Sequence, residues 1–226
     1  MNKEDFKNFA KIALKDILDT SGSILYSSHT TIQKNDIYLM GTNPGGQGAN
    51  NLRVHIENFF NSENEMNAYL DEEWENERDG YTNKGQAPLQ KRVQSILEGL
   101  GYNTRDVCAT NLIFTQSRNL NELGFNFFKI ADICWKVHLQ LLSIIQPKII
   151  LVFGNGKESP YNYLKQKYKI KDSDEKNEAS GYSNWKFKSF KTKEYVVIGL
   201  PHLTFQIDTK KSINFIKSCS EESSCL

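Results

Sequence analysis

Four short, mostly apolar runs punctuate the chain, at 37–40, 107–114, 148–153 and 195–200, and they are rich in β-branched and aromatic residues. Runs of this length and content suit buried strands. Between them the apolar positions recur at helical spacing. Phe6, Phe9, Ile12, Ala13, Leu14, Ile17 and Leu18 predict an amphipathic helix over 3–19. Leu89, Val93, Ile96 and Leu97 predict another over 88–100, with Pro88 in its first turn and Gly99 and Gly101 near its end. A third covers 128–145 and is stopped by Pro147, and a last one covers 208–218. The Gly154-Asn155-Gly156-Lys157 turn leads the third strand into one more helix, and 185–190 alternates in a way that pairs it with the strand at 195.

This alternation predicts an α/β protein: a three-layer α/β/α sandwich around a central, mostly parallel four-stranded sheet. Residues 1–219 read as one domain and 220–226 as a polar, disordered tail. Thr20 to Thr31 reads as a Ser/Thr-rich connection. The segment 47–87 is long and rich in Asn and Glu; its acidic part, 71–77, reads as a solvated helix face. The stretch 80–86 reads as a loop that folds back over a site.

Two strand endings stand out. The first run stops at Gly41-Thr42-Asn43-Pro44-Gly45-Gly46, a proline- and glycine-stiffened turn that presents Asn43 at the carboxyl edge of the sheet. Open α/β sheets bind ligands at that edge. The last run stops at Pro201-His202-Leu203-Thr204-Phe205 and presents a histidine in the same way. Asn111 ends the second run, and Gly154-Asn155-Gly156 ends the third, where a plain turn is the better reading than a phosphate cradle. Asn-Pro-Gly alone is also a common turn, so the case rests on several strand ends together.

Composition narrows the function. Of 226 residues 38% are hydrophobic and 24% charged, and Lys plus Arg (28) nearly balance Asp plus Glu (27), leaving a net charge of +1. That balance excludes a purely electrostatic nucleic-acid binder while leaving room for a local basic face. Neither a secretory signal nor a membrane-length apolar run is present in the sequence, and the four cysteines (108, 134, 219, 225) have no metal-type spacing. The expectation is a reducing, cytoplasmic, monomeric protein without disulfide, metal or cofactor. No Walker loop or Gly-x-Gly-x-x-Gly fingerprint points to a nucleotide cofactor. His29, His55 and His138 lack partners at ligand spacing and read as surface or core residues, and Arg53 and Arg118 as solvated.

Gly41-Thr42-Asn43-Pro44-Gly45 resembles the first motif of the uracil-DNA glycosylase superfamily, in its mismatch-specific and single-strand-selective branches, where Gly-x-Asn-Pro-Gly ends the first strand. Ala109-Thr110-Asn111-Leu112 resembles the strand that supplies a base-reading asparagine. Pro201-His202-Leu203-Thr204 resembles the His-Pro-Ser motif, with the proline moved ahead of the histidine. The resemblance implies hydrolysis of the N-glycosidic bond of uracil or a related base in DNA, without a cofactor. Asn43 would hold the water and His202 would stabilise the departing base; Asn111 would pair with its imide edge.

The same resemblance implies base contacts from Gly41, Thr42 and Tyr81, and DNA contacts from Leu203, Thr204, Phe205, Lys210 and Lys211. Leu203 and Phe205 are the candidate wedges for a flipped-out base. Trp74 and Phe114 are further aromatic candidates beside a base. Two rival readings remain: a non-catalytic nucleic-acid-binding module on the same fold, and an α/β enzyme acting on free nucleosides or nucleotides.

Overall fold

The computed structural model describes residues 3–45, 50–59, 66–76, 80–118 and 126–221. Its centre is a mixed six-stranded sheet. The strands are β1 (Ile37–Gly41), β4 (Cys108–Asn111), β5 (Ile149–Phe153), β6 (Lys176–Ala179), β7 (Lys186–Lys191) and β8 (Val196–Leu200), in the order β4-β1-β5-β8-β7-β6. The pairs β4/β1, β1/β5 and β5/β8 are parallel; β8/β7 and β7/β6 are antiparallel. A separate two-stranded ribbon joins β2 (Glu75–Asn76) to β3 (Gly80–Tyr81).

Side chains alternate across a strand, and that alternation sorts the sheet residues into two cores. Tyr38, Met40, Ile150, Val152 and Val197 face one core, with α1 (Lys3–Ala13), α2 (Leu52–Phe59), α5 (Phe127–Ile145) and α6 (Pro160–Lys167). Ile37, Leu39, Ile149, Leu151, Val196 and Ile198 face the other, with Tyr69 of the short α3 (Ala68–Asp71), α4 (Pro88–Gly99) and α7 (Thr209–Glu221). Covered on both faces, the central strands need unbroken apolar runs. The α/β layering is therefore as expected.

The strand count is not, since six strands form where four were expected. The stretch 185–190 does pair with the strand at 195, as β7. Residues 176–179, polar and without a strand-like pattern in the sequence, add β6 at the sheet's edge. Lys-Asn-Glu-Ala carries no apolar pattern because an edge strand this exposed has no core to face.

Three further expectations are corrected. The opening helix ends at Ala13, and tight turns carry Leu14, Ile17 and Leu18 into the core instead. The acidic stretch is not a helix over 72–76, and Glu77 lies outside the described residues. Gln90 Nε2 donates to Ala68 O (2.7 Å) and Glu72 O (2.9 Å), pinning 68–72 to α4, and an extended ribbon follows. Ser220 and Glu221 continue α7 rather than starting a tail, and 222–226 lie outside the described residues. Cys108, Cys134 and Cys219 are buried, and burial raises the thiols of Cys108 and Cys134 to about 12.

Candidate active site at the carboxyl edge of the sheet

The parallel register delivers the ends of β4, β1, β5 and β8 to one edge. Past the strands, β1 and β4 stay zipped: Leu112 N–H donates to Gly41 O, Ile113 N–H to Thr42 O (both 2.9 Å), and Ser117 N–H to Pro44 O (3.1 Å). Gly41 stands opposite Asn111 in the register. A Cβ on Gly41 would lie 2.2 Å from Asn111 Oδ1, so only glycine lets that carboxamide fold over the β1 backbone. Asn111 is 4% exposed; its Nδ2 has no partner at full hydrogen-bond distance, and the Tyr26 hydroxyl is the polar group nearest to pairing with it. A buried amide donor left unpaired costs about 1–3 kcal/mol.

Asn43 is held the opposite way. Its Nδ2 donates to Pro44 O (2.9 Å), Ser117 O (3.3 Å) and Ser117 Oγ (2.9 Å). Two carbonyls facing one end of the carboxamide demand a donor there, which fixes the amide's orientation. Oδ1 then points the other way, as an acceptor. Thr42 Oγ1 reaches across to Phe153 O at 3.4 Å, tying the turn to β5. Gly154, which follows, has φ +97°, a conformation that favours glycine. Gly45 does not take a left-handed backbone, so its expected turn-making role falls instead on the close approach at Gly41. Gly46 lies outside the described residues.

An aromatic group flanks Asn111. Tyr26 packs against Tyr69 (ring centroids 6.0 Å) and Trp74 (6.4 Å), and Tyr69 against Trp74 (5.7 Å). Tyr26 is fixed through its backbone, its N–H donating to Ala109 O of β4 (2.8 Å) and its carbonyl accepting from Ala68 N–H (2.7 Å). Burial holds the Tyr26 phenol well above its usual pKa. The Glu72 charge adds to this, while the Asn111 carboxamide and the Gly45 amide oppose it. The hydroxyl thus belongs to the same edge as Asn111 and the Asn43 turn. Sequence reasoning passed over Tyr26; the apolar triplet Ile24-Leu25-Tyr26 inside a Ser-rich connection is the signal it leaves.

His202 follows β8. Its Nδ1 lies 2.9 Å from Thr204 Oγ1 and accepts weakly from Thr204 N–H at 3.4 Å. An acceptor at Nδ1 places the neutral ring's proton on Nε2. Burial lowers the His202 pKa, favouring that neutral form. Arg92 of α4 braces the loop, Nη1 donating to Leu203 O (2.6 Å) and Thr204 O (3.2 Å). Neither Arg92 nor Ser117 was foreseen as part of the site, because Arg92 donates to backbone carbonyls and Ser117 accepts from the Asn43 carboxamide across long sequence separations. With strands about 4.8 Å apart, the edge from β4 to β8 spans roughly 14 Å.

The expected site residues fall into groups. Gly41, Thr42, Asn43 and Asn111 come together, and His202 stands on the same edge two strands from β1. Leu203 is fully buried in the α4/α7 core, so it presents no wedge, and Phe205 is the exposed apolar side chain of that loop. Phe114 is also fully buried, against the His138 ring (4.9 Å), and cannot stack on a ligand. Trp74 is half-buried in the Tyr26 group. The side chain of Tyr81 lies outside the described residues. Thr204 is exposed, with its hydroxyl on His202; Lys210 and Lys211 are exposed at the start of α7.

Two surface depressions lie elsewhere. One, of about 630 Å³, is lined by Lys34, Asp36, Tyr102 and Lys148 at the opposite edge of the sheet; the other, of about 240 Å³, lies beside β7 and Cys219. Among the described residues no group of three His, Cys, Asp or Glu is placed to hold a metal ion, and no helix is long and apolar enough to cross a membrane.

Fold and edge together define an α/β protein with polar side chains gathered across the ends of its parallel strands. Neither the models of known protein families nor the curated proteins include a match to this chain.

Proposed function

We propose that the protein is a DNA glycosylase that hydrolyses the N-glycosidic bond of uracil or a related base, as a cytoplasmic repair enzyme of the uracil-DNA glycosylase type. The supporting observation is the unpaired Nδ2 of buried Asn111, a donor kept out of water beside Gly41. A carboxamide presents one donor and one acceptor, the complement of an imide edge. The free base edge of a flipped uracil would satisfy it, and the Tyr26–Trp74 group is the nearby aromatic surface.

In the proposed reaction Asn43 Oδ1 accepts a hydrogen bond from a water placed below the sugar. The C1′–N bond breaks, the sugar gains positive charge, and the electron pair leaves with the base. His202 donates from Nε2 to the base carbonyl where that negative charge gathers. The water oxygen then bonds to C1′ and its proton passes to solvent or to the departing base. Asn43 is a weak proton acceptor, so its contribution is positioning and the larger share of the barrier lowering falls to His202 and to charge stabilisation.

Labelled oligonucleotides carrying one uracil, single-stranded and opposite guanine, test this. Alkali-sensitive abasic sites should appear with the native protein and be lost with Asn43→Ala and His202→Ala. Absence of abasic sites from both substrates, with well-folded protein, would reject the reading.

A further inference from the structure

Tyr182, Trp185 and Phe205 form a second aromatic group, outside both cores. The Trp185 and Phe205 rings meet edge to face with centroids 4.5 Å apart, and Tyr182 lies 6.1 Å from Trp185 and 6.2 Å from Phe205. Phe205 is 39% exposed, and the other two are half-buried. Aromatic rings gathered against one another near the surface, outside both cores, are not there to close a core.

The group is rigidly mounted. Buried Ser180 donates through Oγ to Trp185 O (2.8 Å), its own N–H also donates to Trp185 O (2.9 Å), and Trp185 N–H donates to Tyr182 O (3.2 Å). Ser183 at the tip takes a left-handed backbone (φ 51°). On the other side Phe205 N–H donates to His202 O at 3.1 Å, so Phe205 sits one turn from the candidate catalytic histidine. The segments 180–186 and 201–211 carry Lys186, Lys210, Lys211 and Asp208 as their charged residues. Asp208 Oδ1 accepts the Lys211 N–H, and the Lys211 side chain lies over Gly181 of the aromatic turn.

We infer that this surface is a stacking platform for an unpaired DNA strand entering the site, with Lys186, Lys210 and Lys211 on its phosphates. Ring surfaces of this kind take up bases whose faces are free, and a duplex hides those faces in its own stack. The lysines supply sequence-independent attraction. The inference rests on the glycosylase reading for its choice of DNA, and it makes the preferred substrate single-stranded. The turn between β6 and β7, formed because the unexpected strand β6 pairs with β7, is what supplies two of the three rings.

The test uses a labelled oligothymidine of roughly ten nucleotides, a length within the site sizes of such surfaces, its duplex with the complement, and an oligouridine of equal length. Binding is read by anisotropy across a salt series, with Trp185 quenching as a second signal. The single DNA strand should bind at least tenfold tighter than the duplex. Phe205→Ala and Trp185→Ala should each weaken it roughly tenfold. Phe205→Ala lies outside the cores and keeps the test valid should Trp185→Ala unfold. Lys210→Gln with Lys211→Gln should flatten the log–log salt slope by about 1.4, at ~0.7 per phosphate contact. Duplex binding equal to single-strand binding, or unchanged affinity in both ring variants, would overturn the platform. Tighter binding of oligouridine would overturn its assignment to DNA. The DNA probes contain no uracil, so a failed excision assay leaves this result standing, and the reverse also holds.

Discussion

Gly41 and Asn111 face each other across the β1–β4 register so closely that a Cβ on the glycine would stand 2.2 Å from the asparagine's Oδ1. The contact brings the first glycine of the Gly-x-Asn-Pro-Gly stretch and the asparagine of the second strand into one unit. Gly41→Ala should push the Asn111 carboxamide out of place. Excision is expected to fall at least a hundredfold while stability drops by only about 1–3 kcal/mol. Excision rates and urea unfolding on the same preparation separate the two effects; full activity in the variant would remove Asn111 from the base site.

Asn111→Leu takes the opposite direction in stability. The native Nδ2 is buried with only the Tyr26 hydroxyl near it, beyond full hydrogen-bond distance, so an apolar side chain of similar volume removes a poorly paired, desolvated donor. The unfolding midpoint should hold or rise, by up to about 1 kcal/mol, while excision disappears. A structural asparagine would give the reverse, a clear loss of stability.

Asn43→Asp tests the orientation of the first turn. A carboxylate cannot donate to Pro44 O, Ser117 O or Ser117 Oγ, and it would face two carbonyl oxygens directly. A loss of about 1–3 kcal/mol is expected, with no gain in rate despite the stronger base. Faster excision by this variant would mean that the turn reorganises and that Ser117 does not hold it.

Thr204→Val removes the hydroxyl on His202 Nδ1 from an exposed residue. Stability should stay within about 0.5 kcal/mol. Excision should fall roughly tenfold as the ring loses the hydroxyl that anchors its orientation, and Thr204→Ser should restore it. Since burial lowers the His202 pKa below its usual value, the neutral ring predominates above pH 6.5, and the rate should not fall as pH rises from there towards 8. A rate that climbs as pH falls through 6.5 would assign the protonated ring instead.

The pH dependence of stability follows from His138. It is fully buried, with Nδ1 2.8 Å from the Tyr38 hydroxyl and Nε2 3.1 Å from Leu112 O. Burial lowers its pKa from 6.5 to about 4, and burial does the same to His55. A histidine whose folded pKa is depressed contributes stability above pH 6.5 and loses it as pH falls towards 4, because the unfolded chain takes up the proton first. His138 alone accounts for a loss of about 3 kcal/mol across that window. Thermal melts from pH 7 to pH 4 check this, and a flat profile would contradict it.

How far the sequence reached differs from element to element. The four parallel strands were legible because burial on both faces forces unbroken apolar runs, and the long α5 because a 3.6-residue stripe meets a proline stop. Asn43 and His202 were legible as polar residues in the turns just past such runs, and Asn111 as the polar residue within one. β6 was not, since an exposed edge strand has no core to impose a pattern on Lys-Asn-Glu-Ala. Leu203 reads as a wedge from its place in the loop, yet α4 and α7 close over it. Tyr26, Ser117 and Arg92 reach the site through contacts between distant segments, and nothing local marks them. The chain by itself determined which residues lie inside and where strands end, because those depend on side-chain period and turn chemistry. Only the tertiary structure decided which strand ends are neighbours, which way each carboxamide faces and which rings stay at the surface, because those depend on the register and packing of segments far apart in sequence.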